Sequence, residues 1–170
     1  MPSLRPILSS PPIDRIRRNH GLEHATIHVL SSSKRKTMAG YSDTKGFWLV
    51  GDLNTEDVAA GVSDALARMK NGEPELAVHP GCGTNYVTAG AFAALAAFLA
   101  FFGAKTWREK LERLPLAMAL ITGAIIFSQP VGMKLQAEIT TDGHVRDLEV
   151  ASVKKVSDSP LVMHRIETRG

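Results

Sequence analysis

The chain has little cysteine and little net charge. The first excludes an internal disulfide, and the second argues against nucleic acid as a main partner. Its 170 residues include one cysteine, Cys82, so no disulfide can form within the chain. A lone thiol between two glycines is more typical of a metal ligand or a nucleophile. The formal net charge of +3 gives no reason to expect nucleic acid as a main partner. Residues 1–12 contain Pro and Ser but no apolar run, so we expect no signal peptide.

Two long stretches of the chain lack Asp, Glu, Lys and Arg altogether. They extend over residues 76–104 and 114–133. Because a hydrocarbon core of about 30 Å needs about 20 apolar residues in a helix, both stretches are long enough to cross a bilayer. We therefore predict a transmembrane hairpin, residues 86–133, with spanning helices at 86–104 and 114–133. The alternative, two buried helices of a soluble protein, is disfavoured because neither predicted helix has a polar face.

The segment between the predicted spans is short and charged. It runs from Lys105 to Arg113 and contains Trp107, a residue type that lies at the depth of the lipid headgroups. The basic residues of this loop would favour the cytoplasm for it. Residues 1–37 are also basic and carry no export signal, so we instead place both termini and the soluble domain in the cytoplasm. The predicted location is a bacterial inner membrane.

The most informative motif is the sequence His-Gly-Leu-Glu-His at residues 20–24. Since residues four apart on a helix lie on one face, His20 and His24 can direct two imidazoles at one metal ion. With one soft or acidic third ligand, such a site leaves zinc an open position for water. Glu23, beside that face, can accept the proton of the water. His-x-x-Glu-His is the inverted zinc motif of the inverzincins. The alternative is an amphipathic helix whose histidines are satisfied core residues.

Other polar residues extend this candidate site. His28 continues the face of His20 and His24 by one helical turn, where an ordinary core stripe would carry Leu, Ile or Val. We predict that His28 supports a ligand or faces the substrate, and we give the same role to His79 and Thr84, which flank the cysteine in the chain. The residues alone leave Cys82, His79 or a glutamate open as the third ligand.

The remaining sequence predicts an α+β domain. We expect helices at 13–30 and 55–69 and strands at 37–41, 46–50, 75–79, 135–140, 145–150 and 163–168. The turn sequence Thr-Asp-Gly-His at 141–144 indicates that strands 135–140 and 145–150 form a β-hairpin. Residues 1–85 and 134–170 would together form one metal-binding domain.

The order of these motifs resembles S-ribosylhomocysteinase, the autoinducer-synthesis metalloenzyme. The resemblance covers roughly residues 18–85, and it rests on His20-Gly21-Leu22-Glu23-His24, Gly46-Phe47-Trp48, the helix at 55–69, Pro74-Glu75-Leu76 and Cys82-Gly83-Thr84. It implies a compact α+β fold that is shared with the pitrilysin-type zinc peptidases. It also implies that His20, His24 and Cys82 bind the metal and that Glu23 is the general base. The same arrangement is similar to an uncharacterised group of small bacterial membrane proteins with two spanning helices.

The chain departs from that enzyme at one catalytic residue. The enzyme has a second cysteine just before its Gly-aromatic strand, where this sequence has Ser-Asp-Thr-Lys at 42–45. The lyase reaction is therefore not expected. A zinc ion, a water and a glutamate suffice to hydrolyse an amide or ester, as in the pitrilysin-type peptidases. Those peptidases use a glutamate as third ligand, for which Glu73 and Glu75 are fallback candidates here, as is His79. For the two glutamates, exposed turn positions are the favoured interpretation.

These observations together predict a membrane-anchored, zinc-dependent hydrolase, with Fe²⁺ as the alternative ion. Its partners would be the lipid bilayer and an amphiphilic or membrane-embedded substrate, and a homodimer is left open. The alternative function is a non-catalytic membrane assembly or accessory subunit with a structural metal site. Glu23 distinguishes the two, because a structural site has no need of an unligated carboxylate and would recruit a fourth protein ligand such as His28 or His79.

Overall fold

A computed structural model describes residues 5–34 and 36–170 of the chain. The chain divides into two compact units. We call Met1–His79 with Gln136–Gly170 the sheet unit, and Pro80–Leu135 the hairpin unit. The architecture is a mixture of helices and one antiparallel sheet, with two helices of membrane length. The mixed α and β composition predicted from the sequence is thus confirmed at this level.

The sheet unit combines three α-helices with a four-stranded antiparallel sheet. The helices are α1 (Arg5–Leu8), α2 (Pro11–Lys34) and α3 (Thr55–Lys70), and the strands are β1 (Ala39–Asp43), β2 (Gly46–Val50), β3 (Glu149–Ser157) and β4 (Met163–Arg169). The strand order is β1-β2-β4-β3, which places β1 at one edge. Phe47 and Leu49 of β2 and Ile166 of β4 are at most 1% exposed, and they form the core with the apolar faces of α2 and α3.

The helices of the sheet unit begin where their capping residues predict. Pro11 and Pro12 suit the first turn of α2, and Asp14 lies where the helix dipole favours a negative charge. Asn54 caps α3, since its side chain accepts a hydrogen bond from the backbone N–H of Asp57. Helix α2 runs four residues beyond its predicted end, because the hydroxyls of the three serines at 31–33 donate to carbonyls three residues earlier and remain compatible with the helix.

Two predicted strands are wrong, and in each case the residues form a short helical segment instead. Residues 75–79 were expected to be extended, but Pro74–Ala77 is a 3₁₀-helix that begins with the proline. Residues 135–140 were expected to pair with 145–150, but Gln136–Thr140 is a π-helical segment. The Arg17 side chain donates to the backbone carbonyls of Glu138, Ile139 and Thr141 and so satisfies its final turn.

The strand predicted at 145–150 is displaced, because only its last two residues belong to β3, which begins at Glu149. Strand β3 pairs with β4 in an antiparallel register that joins Val153 to Ile166. The final strand, predicted at 163–168, is confirmed by β4 at Met163–Arg169. The strands predicted at 37–41 and 46–50 are also confirmed as β1 and β2, although β1 begins at Ala39 instead of residue 37.

The hairpin unit contains α4 (Gly83–Phe101), α5 (Trp107–Glu112) and α6 (Leu114–Leu135). Two helices, Gly83–Phe101 and Leu114–Thr140, are long and apolar enough to span a membrane. Helices α4 and α6 pack on each other through small side chains: Ala96, Ala100, Ala117 and Ser128 are at most 8% exposed. Larger side chains point outward, for example Phe98 and Phe127 at 60% and 74% exposure.

Candidate metal centre

Helix α2 carries the two histidines of the candidate site on one face. The imidazole rings of His20 and His24 are 4.4 Å apart between centroids, as expected for residues four apart on an unbroken helix. His24 is almost fully buried, at 2% exposure, whereas His20 is half-buried. The predicted juxtaposition of the two side chains is therefore present.

Backbone carbonyls set the orientation of both rings. The Nδ1 atom of His20 lies 3.0 Å from the Thr140 carbonyl oxygen, and that of His24 lies 2.7 Å from the Ala77 carbonyl oxygen. Since a carbonyl can only accept, each Nδ1 carries the proton and donates it. In this tautomer the lone pair that can bind a metal resides on Nε2. Metal-binding histidines are held in this way, with the second ring nitrogen donating to a carbonyl or carboxylate.

Cys82 is the third ligand that the sequence predicts, and it lies at the start of the hairpin unit. Cys82 is 7% exposed and caps α4, where its sulfur accepts a hydrogen bond from the backbone N–H of Thr84 at 3.5 Å. The chain itself limits the position of the thiol, because three residues after His79 can span at most about 11 Å.

The Glu23 carboxylate lies near His20 on the same helix and is buried against the edge strand β1. Its Oε2 accepts a hydrogen bond of 2.5 Å from the Ser42 hydroxyl on β1, and Glu23 is only 4% exposed. Gly40 makes room for the carboxylate, since a Cβ at that position would overlap with it. Burial raises the pKa of Glu23, whereas the Ser42 hydrogen bond and the nearby His20 act in the opposite direction.

Two further histidines extend the row of imidazoles. The His79 ring centroid lies 5.8 Å from that of His24 and 4.7 Å from that of His28. Burial, together with the charges of His28 and His24, lowers the pKa of His79 to about 4, so the ring is neutral near pH 7. His28 donates through Nε2 to the Val78 carbonyl oxygen at 2.9 Å, so its tautomer is opposite to that of His20 and His24.

The fallback carboxylate ligands are engaged elsewhere or exposed. Glu73 accepts hydrogen bonds from the Arg68 guanidinium, with Nε at 3.0 and 3.1 Å from its carboxylate oxygens. Glu75 is exposed. Neither glutamate therefore has the buried, unengaged carboxylate that a third ligand would need.

Sequence reasoning missed the residues that hold the site in place. Ser42 was noted only as the substitute for a cysteine, although its hydroxyl holds Glu23. The carbonyls of Thr140 and Ala77, which fix the two rings, carry no signal in the sequence because every residue has a carbonyl. The sequence does offer a signal for Gly40, since a glycine within a strand often marks the close approach of another group, here the Glu23 carboxylate.

Comparison with known proteins places the chain in a family. The sequence model of a family described as a domain of unknown function (DUF6391) matches residues 15–153. An uncharacterized protein of Picosynechococcus sp. is 36% identical over an alignment of 95 residues, and the match covers 50% of this chain and 43% of the relative. The match thus spans less than half the length of that curated relative. No solved structure matches the chain significantly.

Proposed function

This chain belongs to the DUF6391 family, and we propose that it is a membrane-anchored, zinc-dependent hydrolase. The observation that carries the proposal is the arrangement on α2. Two imidazoles are fixed by backbone carbonyls with Nε2 as the basic atom, and a buried carboxylate lies next to them. Ordinary core histidines would not need a carboxylate held between a helix and an edge strand.

The donors fit zinc better than other common metals. Two imidazole nitrogens and a thiolate are ligands that zinc prefers, and three protein ligands are the number found in catalytic zinc sites. We assign His20, His24 and Cys82 as the ligands, with Fe²⁺ as the alternative ion. When bound, the metal would supply Lewis acidity toward a carbonyl and activate a water molecule. Thr84, which donates to the Cys82 sulfur, supports that ligand.

Glu23 is the proton-transfer residue in this proposal. A general base is most effective when its pKa lies near the working pH, and burial raises the pKa of Glu23 in that direction. Ser42 fixes one carboxylate oxygen, which leaves the other to accept a proton. Gly40 allows the carboxylate to remain against β1 without a clash.

The proposal also rests on the resemblance to S-ribosylhomocysteinase and the pitrilysin-type peptidases, which implies a similar fold and the same type of zinc motif. A serine cannot replace the second cysteine of the lyase, because a thiol ionises far more readily near neutral pH. Here the Ser42 hydroxyl is already engaged with Glu23. We therefore assign hydrolysis of an amide or ester, and not cleavage of S-ribosylhomocysteine.

The substrate class follows from the position of the thiol in the chain. Cys82 directly precedes α4, a helix long and apolar enough to cross a membrane. A metal bound by this thiol lies near the start of a spanning helix, which suits a substrate that partitions into bilayers. We propose an inner-membrane protein with the sheet unit in the cytoplasm.

The experiment that tests the function compares substrates and one conservative variant. The purified protein is assayed against membrane-partitioning esters and amides and against S-ribosylhomocysteine. Turnover should occur in the first group, and Glu23→Gln should reduce it by roughly two to four orders of magnitude while metal content is unchanged. Glu56→Gln, at an exposed glutamate of α3, should behave as wild type. Turnover of S-ribosylhomocysteine alone would refute the hydrolase assignment.

A second candidate function is a non-catalytic membrane subunit with a structural metal. The proximity of the His79 ring to His24 favours it, because a fourth protein ligand would close the site. Removal of that ligand separates the two cases. In a structural site His79→Ala should lower metal affinity strongly, whereas in the hydrolase it should leave the metal bound.

A further inference from the structure

An apolar groove lies at the loop end of the hairpin unit. Its volume is about 270 Å³, and it is lined by Phe101, Trp107, Lys110, Leu111 and Leu114. Trp107 is 74% exposed, and Leu111 and Leu114 are also open to the surroundings. Four of the five lining side chains are large and apolar, and the fifth, Lys110, is basic.

The charges around the groove do not cancel. The loop from Lys105 to Arg113 contains four basic and two acidic residues. Arg108 pairs with Glu112 at 3.0 Å, and Glu109 accepts a hydrogen bond from the backbone N–H of Lys105. Arg113 donates to the backbone carbonyls of Ala100 and Phe102.

The lysines of this loop supply the uncompensated charge. Within residues 5–34 and 36–170, neither the Lys105 nor the Lys110 ammonium forms an ion pair. Because Lys110 also lines the groove, its charge lies next to apolar surface. An occupant that complements this site carries an anionic group at one end and a hydrocarbon chain at the other.

We propose that this groove binds one anionic phospholipid, with an acyl chain along Phe101, Leu111 and Leu114 and the phosphate at Lys110. The inference rests on the membrane insertion that belongs to the proposed function. A tryptophan next to the groove is consistent with headgroup depth, where this residue type is enriched. A zwitterionic lipid meets the apolar requirement, but the ammonium of its headgroup offsets the phosphate charge that faces the lysine.

The expected selectivity follows from the charge of one lysine. A basic residue at a membrane surface contributes about fivefold to the affinity for anionic lipid, which is roughly 1 kcal/mol at 1.4 kcal/mol per tenfold. Lys110 should therefore account for about a fivefold preference of the groove for phosphatidylglycerol over phosphatidylcholine.

Fluorescence quenching of Trp107 by brominated lipids tests the proposal. The chain contains two tryptophans, and Trp48→Phe leaves Trp107 as the only one. The full-length protein is reconstituted into vesicles that contain a small fraction of brominated phosphatidylglycerol or brominated phosphatidylcholine with identical acyl chains. Phosphatidylglycerol should quench Trp107 with about fivefold higher apparent affinity.

Two charge-matched substitutions separate a specific site from general attraction. Lys110→Gln should remove the preference for phosphatidylglycerol. Arg108→Gln removes the same charge from the same loop, but Arg108 does not line the groove, so this variant should keep the preference. Equal quenching by the two lipids, or equal loss in both variants, would overturn the site. Absence of quenching by either lipid would instead show that the loop is not at a membrane, which refutes the insertion as well.

Discussion

The two units of this chain bury opposite kinds of side chain. In the sheet unit, large residues such as Phe47, Leu22 and Leu148 are completely buried. In the hairpin unit, the buried residues are small, such as Ala100 and Ala117, and the large ones face outward. Burial of large apolar groups is the dominant stabilising term in water but provides no driving force between helices in lipid. The contrast is the one expected if the hairpin unit is inserted in a membrane, as proposed.

The buried polar groups of the two units also differ in where their hydrogen-bond partners lie along the chain. Glu23 and His24 of the sheet unit are buried, and each has a defined partner, Ser42 and the Ala77 carbonyl. In the hairpin unit, the Ser128 hydroxyl donates to the carbonyl of its own helix three residues earlier. The hydroxyl of Ser128 is thus satisfied within its own helix, whereas Glu23 and His24 are held by residues distant in the sequence.

The largest contrast should come from truncation of one phenylalanine in each unit. Phe47→Ala removes a fully buried ring and should lower the free energy of unfolding of the sheet unit by about 3–5 kcal/mol. Phe127→Ala removes a ring that is 74% exposed on a helix long and apolar enough to span a membrane, and it should change stability by less than about 0.5 kcal/mol. Unfolding in mixed detergent micelles, followed by Trp48 fluorescence, measures both. Similar losses in the two variants would refute the difference in solvent.

A smaller but more direct contrast uses one arginine at two equally exposed leucines. Leu95 in α4 and Leu161 before β4 are 59% and 60% exposed. Arginine near the centre of a spanning helix costs about 2.5–3.5 kcal/mol on insertion scales, so Leu95→Arg should impair membrane insertion. Leu161→Arg should have no effect.

Alkaline carbonate and high salt provide the measurement for this pair. The wild type and Leu161→Arg should remain in the membrane pellet until detergent is added, and part of Leu95→Arg should be released. If carbonate releases the wild type without detergent, the hairpin unit does not span the membrane.

The smallest effect concerns the pH dependence of the sheet unit. The pKa of His79 falls to about 4 in the folded protein, below the ordinary value of 6.5. Between pH 6.5 and pH 4 the unfolded chain therefore binds a proton that the folded protein does not, and stability falls as the pH falls through this window. His79→Gln should weaken this dependence in the metal-free protein, whereas His144→Gln, at an exposed histidine, should not. The unfolding temperature is measured at several pH values for each variant. If it depends on pH as strongly in His79→Gln as in the wild type, the lowered pKa of His79 is not the cause.

Patterns within a few residues were predictable from the sequence. The spacing of His20 and His24 predicts one face of a helix, and the uncharged stretches predict the apolar helices of the hairpin unit. Local capping also predicted α3, because the Asn54 side chain needs only the backbone N–H of Asp57, three residues on.

Structure that depends on distant partners was not predictable. Residues 135–140 alternate as a strand would, yet the segment is helical. The Arg17 side chain donates hydrogen bonds to its carbonyls, and Gln136 accepts one from the backbone N–H of His79. The contact of Ser42 with Glu23 joins residues 19 positions apart on different elements. A single sequence contains no periodicity that could reveal either pairing.

Metal analysis of the purified protein tests the central claim most directly. The wild type should contain about one zinc per chain, as expected for a site of three protein ligands. The double variant His20→Ala, His24→Ala should contain none, and Cys82→Ser should contain less than the wild type. His144→Ala, which removes an exposed imidazole, should retain the full amount. Full zinc occupancy in the double variant would contradict the account.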